Sequence, residues 1–197
     1  MHHSRERCSR VDLIGCEALL DRVRTCGSGV SGGRPRFPPP TNTQNFDLAG
    51  IDIVVNTHLH FDHCGGNHLF AGRPIYVQRR ELDDARNEND YTIREWVDAP
   101  GVRYVPVDGE LELLPGLRLV PAPGHTRGMQ VVVVETAGRP VVVGGDVAVW
   151  FGELDEPHTE GQLRVRALDP ELVWLAHEHE PWRPRTVCAS SEGKNHD

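Results

Sequence analysis

The sequence has no long apolar run, no concentration of positive charge and no paired cysteines. No hydrophobic stretch approaches the roughly 18 residues of a membrane-spanning helix, and the arginine-rich first residues lack the apolar centre of a secretory signal. The five cysteines are scattered and odd in number, which is typical of reduced thiols. These absences predict a protein with no membrane partner, and the expected location is cytoplasmic.

Positive charge is scarce where a nucleic-acid partner would need it. The net charge is −8, and residues 57–197 contain 14 basic against 23 acidic side chains. A protein that binds nucleic acid normally carries a basic patch or stripe. We therefore expect no nucleic-acid partner and a small-molecule substrate. The 197 residues suffice for one domain with a sizeable core.

The character of the chain changes near residue 47. Residues 27–40 contain four glycines and four prolines, which excludes a helix interior or a central strand and predicts a linker or a disordered loop. Upstream of it, apolar residues near helical spacing predict a short helix over Val11–Thr25. We expect residues 1–46 to be an atypical, partly disordered segment and residues 47–197 to form the folded domain.

After residue 47, strand and helix patterns alternate. Two helices are predicted, over Arg79–Asn87 and Glu160–Ala167, and Thr92–Val97 is predicted as a helical turn or a loop. A hairpin through Ala137-Gly138 joins two of the predicted strands. The predicted strands are Arg73–Gln78, Val102–Val107, Glu110–Leu114, Leu117–Pro121, Met129–Thr136, Arg139–Gly144 and Leu172–Ala176.

Three histidines and one aspartate fall within six positions, directly after the apolar run Ile51–Val55. Neutral imidazole and carboxylate are ligands that zinc prefers. Because His58 and His60 are two residues apart, an extended backbone points both to the same side. Asp62 and His63 follow where the chain must turn, so they reach a neighbouring point. The cluster predicts two adjacent metals.

Three further candidates come at or just after the ends of apolar strands. His125 follows a Pro-Gly turn, Asp146 follows a glycine pair, and His177 ends the last strand. A ligand at the end of a buried strand is held rigidly while its head group faces an open edge. We therefore expect these residues to meet the first cluster at one rim. Cys64 adjoins the cluster, but the nitrogen and oxygen donor set is already full without it.

The ordered motifs His-x-His-x-Asp-His, Pro-Gly-His-Thr, Gly-Asp and a final strand-end histidine resemble the metallo-β-lactamase-fold hydrolases. Within that superfamily, Thr57–Asn67 most resembles the N-acyl homoserine lactonase-like branch, and the similarity runs from about Gly50 to Trp182. The resemblance implies an α/β (α+β) fold, the αββα sandwich, with residues 47–197 as its catalytic domain. Strands that relatives carry upstream are not evident, so we expect an incomplete N-terminal sheet from a truncated or misread start.

The resemblance also implies a mechanism and a ligand set. A hydroxide that bridges two zinc ions would attack a lactone or ester carbonyl, with Asp62 as the catalytic residue that orients the nucleophile or carries its proton. Relatives are often dimeric, so a homodimer is one expectation. The implied ligands are His58, His60 and His125 for the first zinc, Asp62, His63 and His177 for the second, and Asp146 as the bridge.

Other functions stay open at this point. The motifs overlap those of glyoxalase II-like thioesterases, and persulfide dioxygenases with a single iron share the fold; an inactive remnant is a further alternative. Some relatives carry a tyrosine shortly after the bridging aspartate that contacts the substrate carbonyl, whereas here Asp146 is followed by Val147-Ala148-Val149-Trp150-Phe151. Trp150 and Phe151 either line an apolar acyl pocket or belong to the core.

Overall fold

Two β-sheets face each other in the computed structural model, which describes residues 11–14 and 48–184. The first sheet has four strands in the order β1-β2-β3-β4, all of them parallel. Its strands are β1 Val11–Ile14, β2 Ile53–Asn56, β3 Pro74–Gln78 and β4 Arg103–Val107.

The second sheet has five strands in the order β5-β6-β7-β8-β9. Neighbours from β5 to β8 pair antiparallel, and β9 joins β8 in parallel. It follows that β6, β8 and β9 run in the same direction, so their carboxyl ends lie at one edge. The strands are β5 Leu111–Leu114, β6 Leu117–Pro121, β7 Gln130–Val134, β8 Val141–Gly145 and β9 Leu172–Leu175.

Short helices cover the outer faces of both sheets. The last of them begins with a capping box, in which the Thr159 hydroxyl accepts from the Gln162 backbone N–H and the Gln162 side chain accepts from Thr159. The helices are α1 Phe61–Cys64, α2 Arg79–Asn87, α3 Arg94–Val97, α4 Phe151–Asp155 and α5 Glu160–Ala167, with 3-10 turns over Leu48–Gly50 and Asn67–Phe70.

Alternation along the strands sorts the buried side chains into layers. Val55 and Val107 of the first sheet pack with Leu119, Val132 and Val143 of the second, which forms the core between the sheets. On the second sheet, their sequence neighbours face outward and pack against α4 and α5. On the outer face of the first sheet, Val77 packs against α2 and α3, and Val54 packs against Phe70. This order of layers is the predicted αββα sandwich, so the fold prediction is confirmed.

One predicted element is wrong where the structure can be compared with it. Val11–Ile14 forms a strand, not the start of a helix, and pairs with β2 in the register Val11 to Ile53. The open edge of β2 offers unpaired backbone groups, and pairing with them overrides local helical spacing. The remainder of that helix prediction and the linker over 27–40 lie outside the described residues. The division at residue 47 stays a prediction.

Elsewhere the predicted elements are observed within one or two residues of their ends. The helices α1 and α4 have no predicted counterpart, because their four and five residues are too few to show a helical period. None of the helices in the described part of the chain combines the length and the apolar character needed to cross a bilayer.

Replacing Leu119 by alanine tests the core between the sheets. Leu119 is fully buried there, so Leu119→Ala should lower the free energy of unfolding by about 2–5 kcal/mol, through lost burial and the cavity left behind. Leu163→Ala is the control, because Leu163 is 54% exposed on α5 and its loss should change stability by less than about 0.5 kcal/mol. Urea unfolding of both variants makes the comparison; equal effects would contradict the assignment of the core.

Candidate metal centre

The structure brings together all seven side chains that the sequence analysis singled out as metal donors. They follow the ends of four strands, three of which share the carboxyl edge of the second sheet. The segment after β2 supplies His58, His60, Asp62 and His63; the segments after β6, β8 and β9 supply His125, Asp146 and His177. Their assignment as metal ligands stays a prediction.

The Asp146 carboxylate lies at the centre of the group. Its Oδ2 atom is 3.1 Å from His63 Nε2 and 3.3 Å from His177 Nε2, both of the expected second site. The same oxygen is 3.4 Å from His125 Nε2 and 3.7 Å from His58 Nε2, both of the expected first site. A single buried carboxylate thus reaches donors of both groups, which is the position that a bridging ligand requires.

The donors on either side of Asp146 form two compact groups of three. The ligand atoms of each group lie within 4.8 Å of one another. In the first group His125 Nε2 is 3.1 Å from His60 Nδ1, and in the second His63 Nε2 is 3.3 Å from Asp62 Oδ2. Tetrahedral ligands at the usual zinc–nitrogen distance lie about 3.4 Å apart, so the spacing suits one ion in each group.

Buried polar atoms in this group are left without hydrogen bonds. Among the described residues, His58 Nε2 and Asp146 Oδ1 are buried and have no hydrogen-bond partner. An unsatisfied buried polar group costs about 1–3 kcal/mol, and a cation in the space between these atoms would remove that cost. The donor set of imidazole nitrogens and carboxylate oxygens therefore fits a divalent metal of the zinc type.

The three histidines of the first group have lowered pKa values, which favour their neutral forms. Burial, and then the neighbouring histidines, hold the pKa of His58 well below its usual value. Burial also lowers the pKa of His60 and of His125, although Asp146 acts in the opposite direction on both. These imidazoles are uncharged at neutral pH, so each has a nitrogen lone pair available to a metal.

The second group holds a proton when no metal is bound. Burial alone would lower the pKa of His63, but hydrogen bonds and charge from Asp146 and Asp62 raise it to about 9. In return, His63 outweighs the effect of burial on both carboxyls and lowers their pKa values. A metal that binds His63 must displace this proton.

Contacts behind the ligands fix their positions. The Thr57 hydroxyl lies 3.2 Å from His58 Nδ1, and a Cβ at Gly145 would come within 2.5 Å of that hydroxyl, at a φ of +54°. Only glycine tolerates both the approach and the backbone angle, and it brings Asp146 beside the histidine segment. The Gln130 amide of β7 donates to the Asn56 carbonyl at 2.8 Å, which ties the second sheet to the same segment.

Three residues that lie next to the donors are not among the site residues predicted from the sequence. Glu81, Tyr91 and Thr126 are hydrogen-bonded to one another beside the first group. The helix that carries Glu81 has a polar sequence, yet Glu81 and Asp84 lie on its buried face beside Leu82. The signal available in the sequence was the position of Glu81, which falls on the helix face that the few apolar residues of α2 define.

A cavity of about 440 Å³ opens beside the donor group. Phe61, at its wall, is 51% exposed. Of the two aromatic residues left open above, Phe151 packs against the core of the second sheet, whereas Trp150 is 59% exposed and is not a core residue. The cavity is lined by His60, Phe61, Asp62, Asp90, Tyr91, Thr92 and Ile93.

Cys64 does not join the donor groups found among the described residues. Its thiol donates to the Leu59 carbonyl at 3.5 Å and contacts the Thr92 hydroxyl. Burial raises the pKa of the Cys64 thiol to about 12, so it is neutral and packs as a small apolar side chain.

Comparison with known proteins agrees with the fold and the motifs. A family model described as the metallo-beta-lactamase superfamily matches residues 26–177. An N-acyl homoserine lactonase of Bacillus sp. is 41% identical over 121 residues, which are 61% of this chain and 46% of that protein. The human metallo-beta-lactamase domain-containing protein 1 is 37% identical over 131 residues, 60% of this chain and 43% of that protein.

A similar solved structure is that of a mutant of Bacillus thuringiensis AiiA with N-decanoyl-L-homoserine bound at the active site. It superposes with a TM-score of 0.57 at 25% sequence identity and covers 68% of this chain and 58% of that one. The chain spans about half the length of the relatives that it matches in sequence.

The proton on His63 predicts a pH dependence of the metal-free protein. Because the pKa of His63 is raised from 6.5 to about 9, its contribution to stability is full below pH 6.5 and is lost as the pH rises through about 9. The contribution is at most roughly 3 kcal/mol. Urea unfolding of chelator-treated protein across this range should show the fall. Zinc-saturated protein, in which a metal replaces the proton, should not; equal pH profiles would contradict the prediction.

Proposed function

The chain belongs to the metallo-beta-lactamase superfamily, and from this premise we propose that it is a dinuclear zinc-dependent hydrolase that opens a lactone or another carboxylic ester. The observation that carries the proposal is the position of Asp146, whose Oδ2 atom lies 3.1–3.7 Å from four imidazole nitrogens of two donor groups. One carboxylate between two sets of ligands suits a pair of ions.

The ligands are proposed to divide as the family resemblance implies. Two zinc ions bound there would polarise a substrate carbonyl and lower the pKa of a bound water toward neutrality. The first ion would be held by His58, His60 and His125, the second by Asp62, His63 and His177, and Asp146 would serve both.

Asp62 is the proposed catalytic residue among the side chains. Its carboxylate lines the cavity, is 27% exposed, and lies 3.3 Å from His63 Nε2. Although burial acts in the opposite direction, His63 lowers the pKa of Asp62, so the carboxylate is ionised at neutral pH. It can therefore accept the proton of the attacking water and return it to the departing alkoxide.

The relatives and the cavity support a proposed substrate class. The matched Bacillus protein is an N-acyl homoserine lactonase, and the solved AiiA mutant holds N-decanoyl-L-homoserine at its active site. Phe61, Tyr91 and Ile93 give the cavity beside the donors apolar walls, which suit an acyl chain. We therefore propose acyl lactones as the first substrates to test.

The two other active readings have less support. A thioesterase like glyoxalase II needs basic residues for the glutathione carboxylates, and the sequence offers three, Arg79, Arg80 and Arg94. Arg79 and Arg80 pair with Asp108 and Asp84, and Arg94 donates to the Glu88 carbonyl, which disfavours this reading. A dioxygenase with one iron would leave the group of Asp62, His63 and His177 without a use. Cytoplasmic residence, a homodimer and the lack of a nucleic-acid partner stay predictions.

Metal analysis combined with a substrate panel tests the proposal. The zinc-reconstituted chain should contain near two zinc ions and should hydrolyse acyl homoserine lactones faster than aryl esters, S-lactoylglutathione or a cephalosporin. His60→Ala should lower turnover at least about 100-fold, because a ligand of the first ion is lost. His158→Ala is the matched control, since this histidine is exposed and lies outside the donor groups.

Three results would contradict the proposal. A single bound iron would favour a dioxygenase. Preference for S-lactoylglutathione would favour the thioesterase. Turnover that His60→Ala leaves unchanged would mean that the measured activity does not arise at this site.

A further inference from the structure

Glu81 is a carboxylate in the first turn of α2 that lies outside the seven proposed donors, yet it is completely buried. Burial of an ionised carboxylate is costly unless hydrogen bonds compensate it. Three groups donate to it. Its Oε1 accepts from the Leu59 backbone N–H at 2.8 Å and from the Tyr91 hydroxyl at 2.5 Å, and its Oε2 accepts from the Thr126 hydroxyl at 2.6 Å.

Each of these three donors either adjoins a ligand of the first proposed metal site in the sequence or packs against one. Leu59 lies between His58 and His60 in the sequence, and Thr126 directly follows His125. The Tyr91 ring packs against the His60 ring with 5.2 Å between centroids. One carboxylate therefore connects the two segments that supply the first site, whose members His60 and His125 are 65 positions apart.

The backbone of the His125 segment also lies against α2 at this point. A Cβ at Gly128 would come within 2.1 Å of the Glu81 nitrogen and 2.4 Å of its Cα atom. Any residue other than glycine would push the segment away from the helix. The close approach shows independently that Glu81 and the His125 segment are built to meet.

We propose that Glu81 is a positioning residue, which holds His58, His60 and His125 in the mutual arrangement that the first metal needs. The inference rests on the proposed dinuclear site. Its consequence is selective, because all three hydrogen bonds of the carboxylate lead to the first group of ligands. Removing Glu81 weakens the first site and spares the second, made by Asp62, His63 and His177.

Replacing Glu81 by glutamine separates the effect of its hydrogen bonds from the effect of its negative charge. The Leu59 N–H can only donate, whereas the Thr126 hydroxyl can rotate and accept. In Glu81→Gln the amide oxygen accepts from Leu59 and Tyr91, and the amide nitrogen donates to Thr126. This variant keeps all three connections without the charge, and Glu81→Ala keeps none of them.

Zinc titration of the metal-free full-length chain, in competition with a chelating indicator, tests the inference. It yields two stepwise dissociation constants. Glu81→Ala should weaken one of them by about 10–100-fold, the usual effect of losing a group that orients metal ligands, and leave the other within about twofold. Glu81→Gln should stay near the wild type. Circular dichroism of each metal-free variant checks that it is folded.

The affected site is identified by repeating the substitution where one site is disabled. In a His177→Ala background only the first site remains intact, and Glu81→Ala should still weaken binding. In a His125→Ala background the first site is already lost, and Glu81→Ala should have no further effect. Where Glu81→Ala does not fold, Thr126→Val and Tyr91→Phe each remove one hydrogen bond and should weaken the same site by a smaller factor.

Asp84→Ala is the matched control. Asp84 is a buried carboxylate on the same helix that pairs with Arg80 and Arg127. Its loss should reduce stability and change neither zinc constant by more than about twofold.

The outcomes separate this inference from the proposed function. A wild-type chain that binds no zinc contradicts both. If the wild type binds two zinc ions, the inference alone is overturned by any of three results: unchanged constants in Glu81→Ala, equal weakening of both sites, or a Glu81→Gln variant as weak as Glu81→Ala.

Discussion

The close approach of four imidazole nitrogens to one oxygen of Asp146 is the interaction on which the rest of the structure depends. Burying so many polar donors at one point is unfavourable without a cation or a network of protons. The metal-free protein balances part of this cost by holding a proton on His63, as the raised pKa indicates. Two zinc ions would balance it more completely, because each would satisfy several lone pairs at once.

The two facing sheets provide the rigidity that this arrangement needs. The donors follow strands that contribute buried side chains to the cores, so the strand ends cannot shift without disturbing a core. Glycines then allow approaches that other residues would block. Gly145 brings Asp146 beside Thr57, and Gly128 seats the His125 segment on α2. Hydrogen bonds behind the ligands add to this rigidity, among them the three that Glu81 accepts.

Most of the site could be predicted from the sequence because its donors follow strongly apolar strands. A histidine or aspartate directly after such a strand has a defined location, and four such strand ends must converge in an αββα sandwich. The same patterns gave most element boundaries within two residues. Each of those predictions rested on local signals, namely apolar alternation, glycine pairs and proline turns.

The features that could not be predicted from the sequence depend on contacts between distant segments. Val11–Ile14 becomes a strand because the edge of β2 is available to pair with it, which its own sequence does not reveal. Glu81 lies in a helix of nine residues that has only one leucine and one alanine as apolar members, so its buried role was hidden by a polar composition. Trp150 could have been core or surface, and only the packing around α4 shows it to be exposed.

Anomalous diffraction at the zinc absorption edge, from crystals of the zinc-reconstituted chain, tests the central claim most directly. The account predicts two peaks about 3.5–4 Å apart, both within about 2.2 Å of an oxygen of Asp146. A single peak, or an Asp146 side chain turned away from the imidazoles, would contradict it.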